Sequence, residues 1–124
     1  PDTTDVHSNM YRRVASIEEY LQSNPDKPFI NCEYTHAMGN SCGGMSLYTA
    51  LEDKYPMYQG GFIWDYVDQA LRVKAPNGQE RLAYGGDFGD KPTDWQFNTN
   101  GIILATARRR ASVRKCGTCS ATCS

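Results

Sequence analysis

Phe29-Ile30-Asn31-Cys32, bounded by Pro28 on one side and Glu33 on the other, is the stretch that decides the fold. A short, largely apolar run opened by a proline and closed by a charge reads as a buried strand. Working upstream, Asn24-Pro25 forbids a helix from running into it, because the residue before a proline is pushed out of the helical region. Before that break, Ser16 with Glu19 three residues later forms a capping box ahead of Ile17, Tyr20 and Leu21, which predicts a helix beginning at Ser16. Asp5 to Tyr11 reads weakly as a strand. Downstream, the glycine-containing loop from His36 to Gly44 leads into a helical stretch with Met45, Tyr48 and Leu51 on one face, ending before Pro56. Gly60-Gly61-Phe62-Ile63-Trp64 supplies the next strand.

Strand, helix, strand, helix, strand is the alternation of an α/β protein with parallel strands and helical crossovers. Open doubly wound sheets and closed (β/α)8 barrels share that unit, and three strands are too few to close a barrel. From Leu71 the pattern changes. Arg72-Val73-Lys74-Ala75 and Arg81-Leu82-Ala83-Tyr84 flank Pro76-Asn77-Gly78-Gln79, a hairpin signature because Asn-Gly accepts positive φ. Gly85 to Gly101, dense in Gly, Asp, Asn and aromatic residues, is loop-like. That composition suits a substrate-binding loop and an ordinary surface connection equally.

The 124 residues are 40% apolar and 11% aromatic, enough for a core, and no apolar run approaches the roughly 20 residues that span a bilayer. No membrane partner is expected. The formal net charge of −1 hides an asymmetry, since residues 106–124 carry five of the thirteen Lys and Arg and no acid, leaving a net of −6 in the rest. An acidic body argues against nucleic acid as a partner, because phosphate contacts need a basic face. Cys32 and Cys42 stand alone in the body, the usage of a reduced, cytoplasmic protein. The sequence opens at Pro1 within an extended segment, which reads as a piece cut from something longer.

Glu33 closes a strand, and parallel α/β architectures gather their catalytic groups at that end. Taken alone, a carboxylate there is more often solvated or ion-paired. Its neighbours are more specific. Cys32-Glu33-Tyr34-Thr35-His36-Ala37-Met38-Gly39-Asn40-Ser41 resembles the nucleophile motif of the β-galactosidases of glycoside hydrolase family 2. The resemblance continues through Gln59-Gly60-Gly61-Phe62-Ile63-Trp64-Asp65-Tyr66-Val67-Asp68-Gln69, Tyr84-Gly85-Gly86-Asp87-Phe88-Gly89-Asp90 and Gln96-Phe97-Asn98-Thr99-Asn100-Gly101.

This resemblance implies the C-terminal portion of a (β/α)8 TIM barrel, about three of its eight strands, over residues 1–105, incomplete on its own. It implies an enzyme that hydrolyses terminal β-D-galactosides such as lactose with retention, Glu33 attacking the anomeric carbon to form a covalent galactosyl-enzyme. Retaining glycosidases need a second carboxyl about 5–5.5 Å away as acid and then base. In this family it comes from an earlier strand, and no residue here matches that motif.

By the same resemblance Tyr11 hydrogen-bonds and orients the nucleophile, while His36, Trp64 and Asn100 bind the galactose. Each has a plainer alternative: a tyrosine at a strand end packs its ring, a loop histidine is solvated, and a tryptophan packs in a core. The Phe97 carbonyl and Asn100 are implied sodium ligands. A parent enzyme of this kind uses Na+ and Mg2+, with most magnesium ligands outside this segment, and is a homo-oligomer. β-Glucuronides and β-mannosides are alternative substrates within the family, and an inactive carbohydrate-binding or structural remnant is an alternative function.

The resemblance stops at Ala105. Residues 106–124 contain Arg108-Arg109-Arg110 and Cys116, Cys119 and Cys123, with Val113 as the one large aliphatic residue. Two readings stand. Three clustered thiolates suggest a metal-binding peptide that lacks a fourth ligand, and a segment unable to bury much surface suggests a disordered or out-of-frame tail.

Overall fold

The computed structural model describes residues 3–109. Within them the chain order is β1 (His7–Met10), α1 (Val14–Gln22), β2 (Phe29–Tyr34), α2 (Met45–Lys54), β3 (Tyr58–Ile63), the hairpin β4 (Leu71–Lys74) and β5 (Glu80–Ala83), and a 3-10 turn at Trp95–Asn98. The strands β1, β2 and β3 form one parallel sheet in sequence order. Both helices serve as crossovers, as expected from the alternation.

The strand ends shift by one or two residues, and the start of the first helix differs from the sequence reading. Helix α1 starts at Val14 with Arg13 as its extended N-cap, and no side chain caps it. Ser16 therefore lies inside the first turn, where its hydroxyl cannot act as the cap. The amphipathic stripe decides the placement: Ile17 and Leu21 are buried against Phe29, Leu51 and Tyr58, with Val14, Tyr20, Tyr48, Tyr55 and Met57 packed around them. Starting the helix at Val14 adds one more apolar residue to that face. Burial of each large side chain here contributes about 1.5–3 kcal/mol. The end of α2 is tied to the middle of α1 by Lys54 and Tyr55, which both donate to Glu18.

The hairpin closes around Gly78. Its φ of +80° is the only positive one in the turn. The Gly78 N–H donates to the Ala75 carbonyl at 2.9 Å and the Ala75 N–H to Gln79 at 2.8 Å. A turn over Ala75–Gly78 followed by a left-handed glycine is the three-residue hairpin loop, so Asn77 needs no positive φ. The strands consequently begin one residue earlier than Arg72 and Arg81.

The helices cover one face of the parallel sheet. On the other, Phe62 is 64% and Met10 58% exposed. Parallel sheets are normally covered on both faces. An open apolar face on three parallel strands calls for a cover that the described residues do not supply, as further barrel strands or a second helix layer would give. The basic and cysteine-rich motifs from residue 110 onward lie outside those residues.

Candidate active site

The position of Glu33 is set by an irregularity in β2. Phe29 and Asn31 are fully buried on the helix side, and strict alternation would send Glu33 to the same side. The pairing with β1 slips instead: Asn9 is opposite Asn31, but the next residue, Met10, is opposite Glu33. Cys32 is the extra residue of a bulge, and a bulge of this kind re-aims a side chain. The phase changes there, so that Tyr34 becomes buried and Glu33 turns toward the open face. Glu33 is thus the penultimate residue of the strand rather than the residue after it.

Tyr11 follows β1 immediately. Its N–H donates to the Glu33 carbonyl at 2.8 Å, and its φ of +51° is unusual for a residue with a side chain. The phenol shares a cavity with the Glu33 carboxylate. Burial first, then the hydrogen bond and the charge of Glu33, hold its pKa far above the ordinary 10.0. The phenol is therefore protonated through the neutral range, the form that can donate to the carboxylate.

The loop from Thr35 to Gly44 is anchored by Ala37, Cys42 and Met45, packed against Ile63 and Ile102. It presents His36 between two rings, with Tyr11 at 6.1 Å and Phe97 at 5.5 Å between centroids. The Met38 N–H points at His36 Nδ1 at 3.3 Å, which leaves Nε2 to carry the proton of the neutral ring. That Nε2 is buried without a partner among the described residues. Trp64 comes directly after β3. Asn100 is 2% exposed; its Nδ2 donates to the Phe97 carbonyl at 2.8 Å, and its Oδ1 has no partner among the described residues.

These groups meet in one place. Tyr11, Glu33, His36, Trp64, Phe97 and Asn100, all six residues singled out in the sequence, line a single cavity of about 410 Å3. Three further polar residues line it that sequence reasoning did not single out: Gln69, Asp94 and Asn98. Gln69 and Asn98 lie within the quoted motifs but carried no signal of their own beyond that. Asp94 is a second carboxylate, exposed at the start of the 3-10 turn. Among the described residues no group of three or more His, Cys, Asp or Glu could hold a metal ion, and no helix is long and apolar enough to cross a membrane.

A carboxylate, a phenol, an indole and polar groups without partners among the described residues thus share one cavity on a parallel α/β segment. Residues 2–117 match the family described as glycosyl hydrolases family 2, TIM barrel domain, and the chain belongs to that family. It is 63% identical over 103 residues to a β-galactosidase of Halalkalibacterium halodurans, covering 83% of this chain and 10% of that protein. A β-galactosidase of Clostridium acetobutylicum is 67% identical over 98 residues, 79% of this chain and 11% of the relative. A β-galactosidase large subunit of Leuconostoc lactis is 56% identical over 103 residues, 82% of this chain and 16% of that subunit. The chain spans between a tenth and a sixth of the length of these relatives.

Proposed function

We propose that this segment supplies the nucleophile and much of the galactose pocket of a retaining β-galactosidase. The observation that carries the reading is the bulge that turns Glu33 into the cavity it shares with Tyr11, His36, Trp64 and Asn100. Glu33 attacks the anomeric carbon as the glycosidic oxygen leaves with a proton from a partner acid, giving a galactosyl ester on Glu33. Water deprotonated by that partner then breaks the ester and returns the carboxylate. The Tyr11 phenol orients the attacking oxygen and receives none of its own charge, since it stays protonated.

A sugar suits the rest of the cavity for a physical reason. His36 Nε2, Asn98 Oδ1 and Asn100 Oδ1 are buried without partners among the described residues, an arrangement costly unless a ligand completes it. A ring of hydroxyls offers donors and acceptors together, and the Trp64 indole offers a face for the apolar side of the sugar. Hydrolysis of the galactoside rather than a glucuronide is favoured because, among the described residues, no Lys or Arg lines the cavity to pair with a sugar carboxylate.

The Phe97 carbonyl and Asn100 Oδ1 are oxygen donors of the kind a hard cation takes, and the unpartnered Oδ1 fits a sodium ion. When bound, the ion would supply a fixed positive charge beside the sugar. The residues assigned here include no magnesium ligands. The full-length enzyme is read as a cytoplasmic homo-oligomer.

The test is a full-length chimera: the H. halodurans enzyme with its matching segment exchanged for that of this chain. It should hydrolyse a chromogenic β-D-galactoside and leave the β-glucuronide and β-mannoside analogues nearly untouched. A folded chimera that prefers either of those substrates would contradict the reading.

A further inference from the structure

The segment from Asp65 to Asp68, beyond β3, and the residues around Asn100 are zipped together. The Asp65 N–H donates to the Asn100 carbonyl at 2.8 Å, Ile102 N–H to the Asp65 carbonyl at 2.8 Å, and Ile103 N–H to the Tyr66 carbonyl at 2.9 Å. Asp68 contributes at both levels. Its backbone N–H donates to the Ile103 carbonyl at 3.0 Å. Its carboxylate accepts the Gly101 N–H on Oδ1 at 2.8 Å and the Ala105 N–H on Oδ2 at 3.4 Å.

The peptide joining Asn100 to Gly101 is consequently held at both polar ends, its carbonyl by the Asp65 amide and its N–H by the Asp68 carboxylate. The approach is close enough to exclude any side chain at Gly101. A Cβ there would lie 2.2 Å from the Asp68 nitrogen and 2.4 Å from the Val67 carbonyl carbon. Of the groups that fix this peptide, the Asp68 carboxylate is the one belonging to a side chain, and a bond to an ionised acceptor is about twice as strong as a neutral one.

We propose that Asp68 is a positioning residue for substrate binding, holding the Asn100–Gly101 peptide so that the Asn100 side chain faces the cavity at a fixed distance from Trp64. Asp68 itself is absent from the cavity wall, whereas Trp64 and Asn100 are on it. Its effect is therefore transmitted through Asn100. This rests on the reading of Asn100 as a sugar-binding residue.

The experiment is a double-mutant cycle in the full-length chimera, read as the inhibition constant of a competitive thio-β-D-galactoside. Asn100→Ala should weaken inhibitor binding. Asp68→Ala should weaken it about tenfold, the factor expected for one charge-assisted bond. Asp68→Asn, which keeps one acceptor, should weaken it less and supplies the reading if the alanine variant does not fold. In the Asn100→Ala background either Asp68 change should lose its effect, because the group it positions is gone. Full persistence of the Asp68 effect in that background, or normal binding in both Asp68 variants while Asn100→Ala binds poorly, overturns the proposal. Normal binding in Asn100→Ala overturns the sugar-binding reading of Asn100 first and the Asp68 proposal with it.

Discussion

Tyr11 and Glu33 are joined by a 2.8 Å bond from the Tyr11 amide to the Glu33 carbonyl, and their side chains line the same cavity. The backbone bond fixes where the phenol can go, and the left-handed φ of Tyr11 bends the chain so that it goes toward the carboxylate. Strain of this sort, about 1–3 kcal/mol, persists where the surroundings over-determine it and gathers at functional sites.

The first prediction concerns this pair. Tyr11→Phe in the full-length chimera keeps the ring and removes the donor, so kcat/KM should fall about ten- to a hundredfold, the equivalent of one hydrogen bond to a charged group. Unchanged kinetics would mean the phenol only packs.

The second is a titration. The folded pKa of Tyr11 is raised, so the interaction is fully present below the ordinary value of 10.0 and is lost only as pH rises through the raised one. Carbon-13 spectra of labelled tyrosine should show one phenol still protonated after exposed tyrosines have ionised. Glu33→Gln removes two of its causes and should lower that pKa, leaving the part due to burial. A Tyr11 signal that titrates with the exposed rings contradicts the geometry.

The third concerns packing behind the site. A Cβ at Gly61 would lie 2.8 Å from Asn31 Cβ and 3.2 Å from the Tyr34 ring. Gly61→Ala should therefore cost about 1–3 kcal/mol of stability, visible as a lower melting temperature. It should also lower activity, because Tyr34 is the neighbour of Glu33. A normal melting temperature would show that β2 and β3 can separate freely.

Much of this was legible in the sequence. Prolines at 25, 28 and 56 punctuate the chain, and apolar runs between them gave the strand and helix order correctly. The start of α1 was misread because Ser16 and Glu19 satisfy a local capping rule, while the stripe running from Val14 places the start in the tertiary structure. The bulge at Cys32 was not legible at all, since register is a property of two strands and Asn9 carries no mark of it. The six residues that share the cavity are legible only through motif resemblance. Gln69 and Asn98 are not legible because their approach to the cavity depends on how segments 65–69 and 98–105 pair, which no spacing along the chain encodes, and Asp94 stands at the start of the 3-10 turn that leads into the second of these.

The fourth prediction separates Asp94 from the partner acid. Two carboxylates, Glu33 and Asp94, line the cavity, and the account assigns the acid to another part of the full-length enzyme. Asp94→Asn should then reduce kcat/KM by less than about tenfold. A loss of several orders of magnitude, restored by azide, would make Asp94 the acid and base instead. For the same reason the 124-residue chain by itself should not turn over a chromogenic galactoside, since its sheet has an open face and unpaired edges among the described residues.

The central claim is that Glu33 forms the bond to the sugar. Glu33→Gln keeps the shape and removes the nucleophile, so turnover in the chimera should fall by roughly a thousandfold or more while binding of a galactose analogue changes little. The most direct measurement traps the intermediate: the Glu33 chimera is incubated with an activated 2-fluoro-β-galactoside, digested, and the labelled peptide sequenced by mass spectrometry. One 2-fluorogalactosyl ester is expected, on Glu33. A label on Asp65, Asp87 or Asp94, with Glu33 unmodified, would contradict it.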